Sequence, residues 1–155
     1  MHCGRLVSDM TVIAAVGTEL QDRVVREAWA LSEAFDDELH VVRALEPEDY
    51  PDDDEVVLSR EVGNVSRPEE EIRDHAAETA AEAAAGIASE YEAVGLLGNP
   101  ARKLIRYADD HDARYIVIGG RKRTAVGKVL FGSVTQSVLL NATCPVVTIM
   151  PEDEE

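Results

Sequence analysis

Lysine is nearly missing from this chain: Lys103, Lys122 and Lys128 are the only three in 155 residues, and the other cations are arginines. Cysteine is as scarce. Cys3 and Cys144 are too few for a disulfide framework and fit a reducing compartment, so the expected location is the cytoplasm. Long apolar runs are absent as well. No stretch of about 18 apolar residues exists to span a bilayer as a helix, and the first ten residues lack the apolar stretch of a signal peptide. The sequence therefore predicts a soluble, unexported protein that meets no membrane. Positive charge is short overall, with 15 Lys and Arg against 31 Asp and Glu for a formal net charge of −16. A phosphate backbone repels such a surface, which argues against nucleic acid as a general partner. Plentiful carboxylates with few lysines point instead to an intracellular protein of a salt-loving organism. Hydrated carboxylates keep a surface soluble where charges are screened within about 3 Å at 1 M salt.

What is present suits one domain. A chain of about 150 residues buries roughly 70% of the surface its unfolded form exposes, enough for a core without staples, and 45% of the residues are hydrophobic. Residues 1–10 read as a polar N-terminal tail, 11–150 as the domain and 151–155 as an acidic tail. Thr11-Val12-Ile13-Ala14-Ala15-Val16 is short, continuously apolar and rich in β-branched residues, as a strand buried on both faces should be. Leu20, Val24, Ala28, Leu31 and Phe35 then draw one stripe down a helix from about Glu19 to Phe35. Leu39 to Leu45 reads as a second strand and Glu46 to Glu55 as an exposed loop. A long Ala- and Glu-rich helix follows from Pro68 to about Tyr91, then a short strand from Val94 to Leu97. Asn99 and Pro100 open a helix carrying Ala101, Leu104, Ile105 and Ala108. Tyr115 to Gly119 is the next buried strand, Gly132-Ser133 starts a helix with Val134, Val138 and Leu139, and Val146 to Met150 is the last strand. Strand and helix alternate throughout, which predicts an α/β domain with a parallel sheet.

In an open parallel sheet, ligands sit beyond the carboxyl ends of the strands, near the point where strand order reverses. Two strand ends stand out. One is Val16-Gly17-Thr18. The other is Gly119-Gly120, which leads through Arg121, Lys122, Arg123 and Lys128 to Gly132-Ser133 at a helix start. Glycines let a backbone approach a phosphate, a helix amino end offers free N–H donors, and a hydroxyl adds one more. Four cations and no acid lie between Gly119 and Ser133 in a chain of net charge −16. These are the parts of an anion site. A basic loop that pairs with acidic neighbours is the competing account. Gly127-Lys128 lacks both the upstream glycine and the following Ser or Thr of a Walker A loop, and no GxGxxG occurs.

At this loop the sequence resembles the universal stress protein family. Its nucleotide-binding members carry Gly, two residues, Gly, nine residues, then Gly with Ser or Thr. Here Gly119-Gly120-Arg121-Lys122 is followed after nine residues by Gly132-Ser133. The likeness continues through Val134-Thr135-Gln136-Ser137-Val138-Leu139 and Cys144-Pro145-Val146-Val147-Thr148-Ile149, and Gly98-Asn99-Pro100 resembles the family's Gly-x-Pro turn. The resemblance covers about Thr11 to Met150. It implies a three-layer sandwich on a five-stranded parallel sheet of order 3-2-1-4-5, the adenine nucleotide alpha hydrolase-like fold. It further implies ATP, with Mg as a possible companion, as ligand. Gly119, Gly120, Arg121, Lys122, Gly132, Ser133 and Val134 would lie at the phosphates, and Val16, Gly17, Thr18 and Ala44 on the nucleoside side. Taken with the acidic composition, it implies a halophilic archaeal source.

Two positions depart from the family pattern. Lys122 stands where the second glycine is expected, and Gly17 stands where nucleotide-binding relatives usually carry an Asp. Both fall at the expected pocket. They favour the alternative of a stress protein from the non-nucleotide branch, working as an interaction module. Slow ATP hydrolysis is a third possibility, though no catalytic base is recognisable by spacing.

The last strand, Val146 to Met150, is expected at a sheet edge, where unpaired backbone groups can template a second copy, and the resemblance points the same way, to a homodimer. His2, His40, His75 and His111 are scattered without the short spacings of a metal site, so no metal is expected. Cys144, ahead of Pro145, reads as a small buried hydrophobe.

Overall fold

The computed structural model describes residues 10–17, 20–49, 67–120, 122–123 and 129–151. Five parallel strands form one sheet: β1 (Thr11–Ala15), β2 (Glu38–Leu45), β3 (Glu92–Leu97), β4 (Ala113–Gly119) and β5 (Val146–Ile149). Their order is β3-β2-β1-β4-β5, so the expected 3-2-1-4-5 topology is the one found. β1 is central because every residue in it is buried. Only a strand covered on both faces can be apolar at every position without exposing half of them.

Among the described residues, four helices cover the two faces: α1 (Gln21–Phe35), α2 (Arg67–Ala84), α3 (Pro100–Asp110) and α4 (Ser133–Asn141). Strand alternation divides the core between them. Val12, Ala14, Val41 and Val117 pack with α1 and α2 through Val24, Val25, Ala28, Ala80 and Ala84. Ile13, Ala15, Val42, Ile116 and Ile118 pack with α3 and α4 through Ala101, Leu104, Ala108 and Val138. The alanines of α2 let it lie almost on the backbone of β3. A Cβ added to Gly95 would stand 2.1 Å from the Arg73 carbonyl oxygen.

Three expectations need correction. The buried residues of α1 are Val24, Val25, Ala28 and Ser32, and Phe35 is 40% exposed. Its ring instead lies under the Arg114 guanidinium, 4.2 Å from the centroid, and 5.9 Å from the Tyr115 ring. Second, α2 stops at Ala84, well before Tyr91, because the chain turns through Gly86 at φ +79°. Third, β3 consequently begins at Glu92, ahead of Val94. The expected loop opens with a single 3-10 turn at Pro47–Asp49, and the remainder of it lies outside the described residues. Among the described residues, no helix is long and apolar enough to cross a membrane.

The amino end of α3 behaves as its residues dictate. Asn99 Oδ1 accepts from the Arg102 N–H at 3.0 Å, with Pro100 at the first turn where a missing N–H costs nothing. At the amino ends of the strands, Arg114 of β4 holds Asp37 with Nε–Oδ2 at 2.6 Å and Nη2–Oδ1 at 3.4 Å. That hydrogen bond to the fully buried carboxylate pushes the Arg114 pKa up.

Candidate functional site

Strand order reverses between β1 and β4, since β2 and β3 continue to one side of β1 while β4 and β5 continue to the other. Beyond the carboxyl ends of these strands lies a cavity of about 200 Å³. Val16 and Gly17 after β1, Ala44 in β2 and Val134 in α4 all line it. Four of the residues singled out from the sequence thus line one cavity, with Val134, expected at the phosphates, beside the three expected on the nucleoside side. Val16 is also a core residue at 6% exposure, which makes the pocket and core roles compatible. Pro100 and Leu104 of α3 and Ile118 of β4 complete an apolar floor.

Arg43 lines the same cavity and was not anticipated. Gly17 has φ +104°, and a Cβ there would fall 2.6 Å from Arg43 Nη1 and 2.7 Å from its Cδ. The side chain of Arg43 therefore occupies the space that a side chain at position 17 would need. Lys103 folds over Gly98 in the same manner, with Cε 2.7 Å from the position of an added Cβ. Among the described residues, neither cation pairs with a carboxylate. Arg43 and Lys103 thus place two positive charges at this end of the sheet, in a chain of net charge −16. The signal for Arg43 was a lone cation inside the apolar run Leu39 to Leu45, and strand alternation hid it by assigning it to the buried sheet.

The glycine-rich segment is held by two anchors. The Gly120 N–H donates to the Ile149 carbonyl at 2.7 Å, and Thr135 Oγ1 donates to the Gly119 carbonyl at 3.0 Å. Gly119 and Gly120 are both buried. Gly132 is the N-cap of α4, and Ser133 is its exposed first residue, at the helix end where backbone N–H groups are free. The stretch between the glycines contains an antiparallel ladder that pairs Lys122 with Leu130 and Arg123 with Val129. Sequence patterning did not reveal this ladder, because two-residue strands carry no period. Thr18 and Arg121 lie outside the described residues.

Cys144 is half-buried against the α3 and α4 core. Burial, with the Asp109 charge second, raises its pKa, which keeps it a thiol and not a nucleophile.

A five-stranded parallel sheet covered by helices on both faces, with a cavity at its switch point lined by Arg43 and mostly apolar residues, defines a doubly wound α/β domain. The particular family follows from comparison with known proteins. Residues 10–149 match the model of the universal stress protein family, and the chain belongs to that family. A universal stress protein of Thermus aquaticus is 32% identical over 141 residues, covering 89% of this chain and 96% of its own. One of Methanocaldococcus jannaschii is 35% identical over 60 residues, a match that spans 39% of this chain and 35% of the relative. Among solved structures, a universal stress protein from Archaeoglobus fulgidus superposes with TM-score 0.65 at 28% identity, covering 90% of this chain and 98% of the other. Another from that organism, in complex with dAMP, gives TM-score 0.60 at 24% identity and covers 93% and 99%.

Proposed function

We propose that this chain binds an adenine nucleotide, ATP with Mg, at the carboxyl end of its sheet and acts as a dimeric stress-response switch in the cytoplasm of a halophilic archaeon. The observation that carries the reading is the cavity, which gathers Val16, Gly17, Ala44 and Val134 at the switch point beside the start of α4. Its volume of about 200 Å³ is below the roughly 300–1,000 Å³ usual for whole ligands. In this reading the base and ribose enter the cavity. The phosphates lie outside it, over Gly119, Gly120, Arg121, Lys122, Gly132 and Ser133. Thr18 would complete the nucleotide site. The Archaeoglobus relative in complex with dAMP supports an adenine nucleotide as the ligand class. The domain would run over residues 11–150, between a polar tail at 1–10 and an acidic one at 151–155. Dimerisation would join Val146 to Met150 of two copies, since β5 has a neighbour on one side only in the sheet. Light scattering in molar KCl should then give twice the 16.9 kDa chain mass.

Equilibrium dialysis with labelled ATP and magnesium in molar potassium chloride tests the ligand. Micromolar binding, about −8 kcal/mol, is expected, and it should vanish in Ser133→Ala with Gly132→Val while fold and dimer persist. A second reading is favoured by Arg43, which fills the space beside Gly17 on the nucleoside side. It makes the chain a non-nucleotide interaction module, and absence of binding at millimolar ATP would select it.

A further inference from the structure

At the end of β2 opposite the cavity, three side chains converge. Strand alternation puts Glu38 and His40 on one face of β2, and the parallel register sets Glu92 of β3 beside His40. His40 is only 4% exposed. Its Nε2 lies 3.0 Å from Glu38 Oε1 and 3.2 Å from Glu92 Oε2, and the three ligand atoms all fall within 4.8 Å of one another. The other ring nitrogen, Nδ1, is 2.6 Å from the Tyr107 hydroxyl on α3. Tyr107 in turn stacks on His111 with 3.8 Å between ring centroids. Both nitrogens of the buried imidazole are thus directed, and its orientation is set by packing.

Nε2 carries at most one proton, yet two carboxylates face it. Like charges this close on neighbouring strands repel, and the chain as a whole already has a net charge of −16. A cation seated among the three groups removes the repulsion. We propose that Glu38, His40 and Glu92 bind a divalent transition-metal ion through Nε2 and one oxygen from each carboxylate. One imidazole nitrogen with two carboxylates suits zinc, manganese or cobalt, whereas calcium and magnesium favour all-oxygen sets. The Tyr107 contact is the outer partner that a metal-binding histidine uses: Nδ1–H donates to the phenol oxygen, which leaves the Nε2 lone pair for the ion. Both glutamates are 67% exposed, giving an ion entry from solvent and room for water in its remaining positions. The site lies on the order of 13 Å along β2 from Ala44 and does not depend on the nucleotide reading.

The test is calorimetric titration of the chelator-stripped full chain with Zn²⁺ and with Mn²⁺, beside Glu38→Gln/Glu92→Gln. That double variant preserves shape at exposed positions and removes both charges. The wild-type chain should bind one ion, at least about 100-fold more tightly than the double variant, and Tyr107→Phe should weaken it about tenfold. His40→Ala empties a buried position and can misfold, so His40 is followed in the wild-type chain by ¹⁵N NMR. Zn²⁺ should shift Nε2 while Nδ1 keeps its proton. No binding, equal affinity in the double variant, or an unmoved Nε2 resonance would each overturn the proposal.

Discussion

Thr135 on α4 donates its hydroxyl hydrogen to the carbonyl of Gly119 at the end of β4, 3.0 Å away in a buried setting. The bond ties the helix start to the strand end, the two sides of the proposed phosphate cradle. Thr135→Val keeps the shape and removes the donor. Its expected cost is about 1 kcal/mol, read as a fall in Tm of about 2–4 °C. ATP affinity should drop with it, measured by the same dialysis, because α4 is no longer held to Gly119. Unchanged affinity would separate this bond from the site.

Arg43 and Gly17 make a matched pair. Gly17→Ala meets both a positive φ of +104° and the Arg43 side chain, so a loss of more than about 1 kcal/mol is expected in urea unfolding. Adding Arg43→Ala should relieve the clash and leave the backbone strain. Arg43 lines the nucleoside side of the cavity, so Arg43→Ala should change the affinities of ATP and adenosine by the same factor, measured by the same dialysis.

Gly95 is required by space and not by its dihedral angles. A Cβ there would meet the Arg73 carbonyl oxygen at 2.1 Å and the Ala77 nitrogen at 2.7 Å, both backbone atoms with no rotamer to retreat to. Gly95→Ala should push α2 off β3 and cost about 3 kcal/mol, the upper end for overpacking. A change smaller than about 1 kcal/mol in urea unfolding would mean that α2 can slide freely.

Alkaline pH offers a separate check. The Tyr107 pKa is raised to about 12 by burial and by Glu92 and Glu38, against an ordinary value of 10.0. Above pH 10 the unfolded chain releases this proton while the folded chain keeps it. The unfolded state then binds fewer protons, and stability falls as pH rises from 10 to 12. Below pH 10 the contribution is flat. Urea midpoints for the wild-type chain and Tyr107→Phe, measured from pH 8 to 11, should run parallel up to pH 10, after which the wild-type chain loses stability faster.

Much of this architecture is legible in the residues. Val12-Ile13-Ala14 and Ile116-Val117-Ile118 have no polar alternation, which only a two-sided burial explains, and Asn99-Pro100 announces a helix start that the structure builds as expected. The strand end at Gly119-Gly120 and the helix start at Gly132-Ser133 are backbone features, visible in the letters themselves. Side-chain reach is not. Arg43 sits at a strand position and acts by curling over its end, and Phe35 obeys the helical period yet packs on Arg114. Glu38, His40 and Glu92 meet through the register of two strands distant in the chain, which no local spacing encodes. The end of α2 was also obscured, since Ala84-Ala85-Gly86-Ile87 continues an alanine-rich helical pattern until Gly86 adopts a positive φ.

The central place of β1 has a consequence for how the molecule comes into being. One edge of β1 pairs with β2, close behind it in the chain, but the other pairs Thr11 with Ala113 and Ala14 with Val117. A nascent chain leaving the ribosome must therefore carry an open, largely apolar strand edge until β4 has been made. Such edges recruit other chains. The strand that begins the sheet waits for one of the last to be made, and the hazard of misassembly is greatest in that interval.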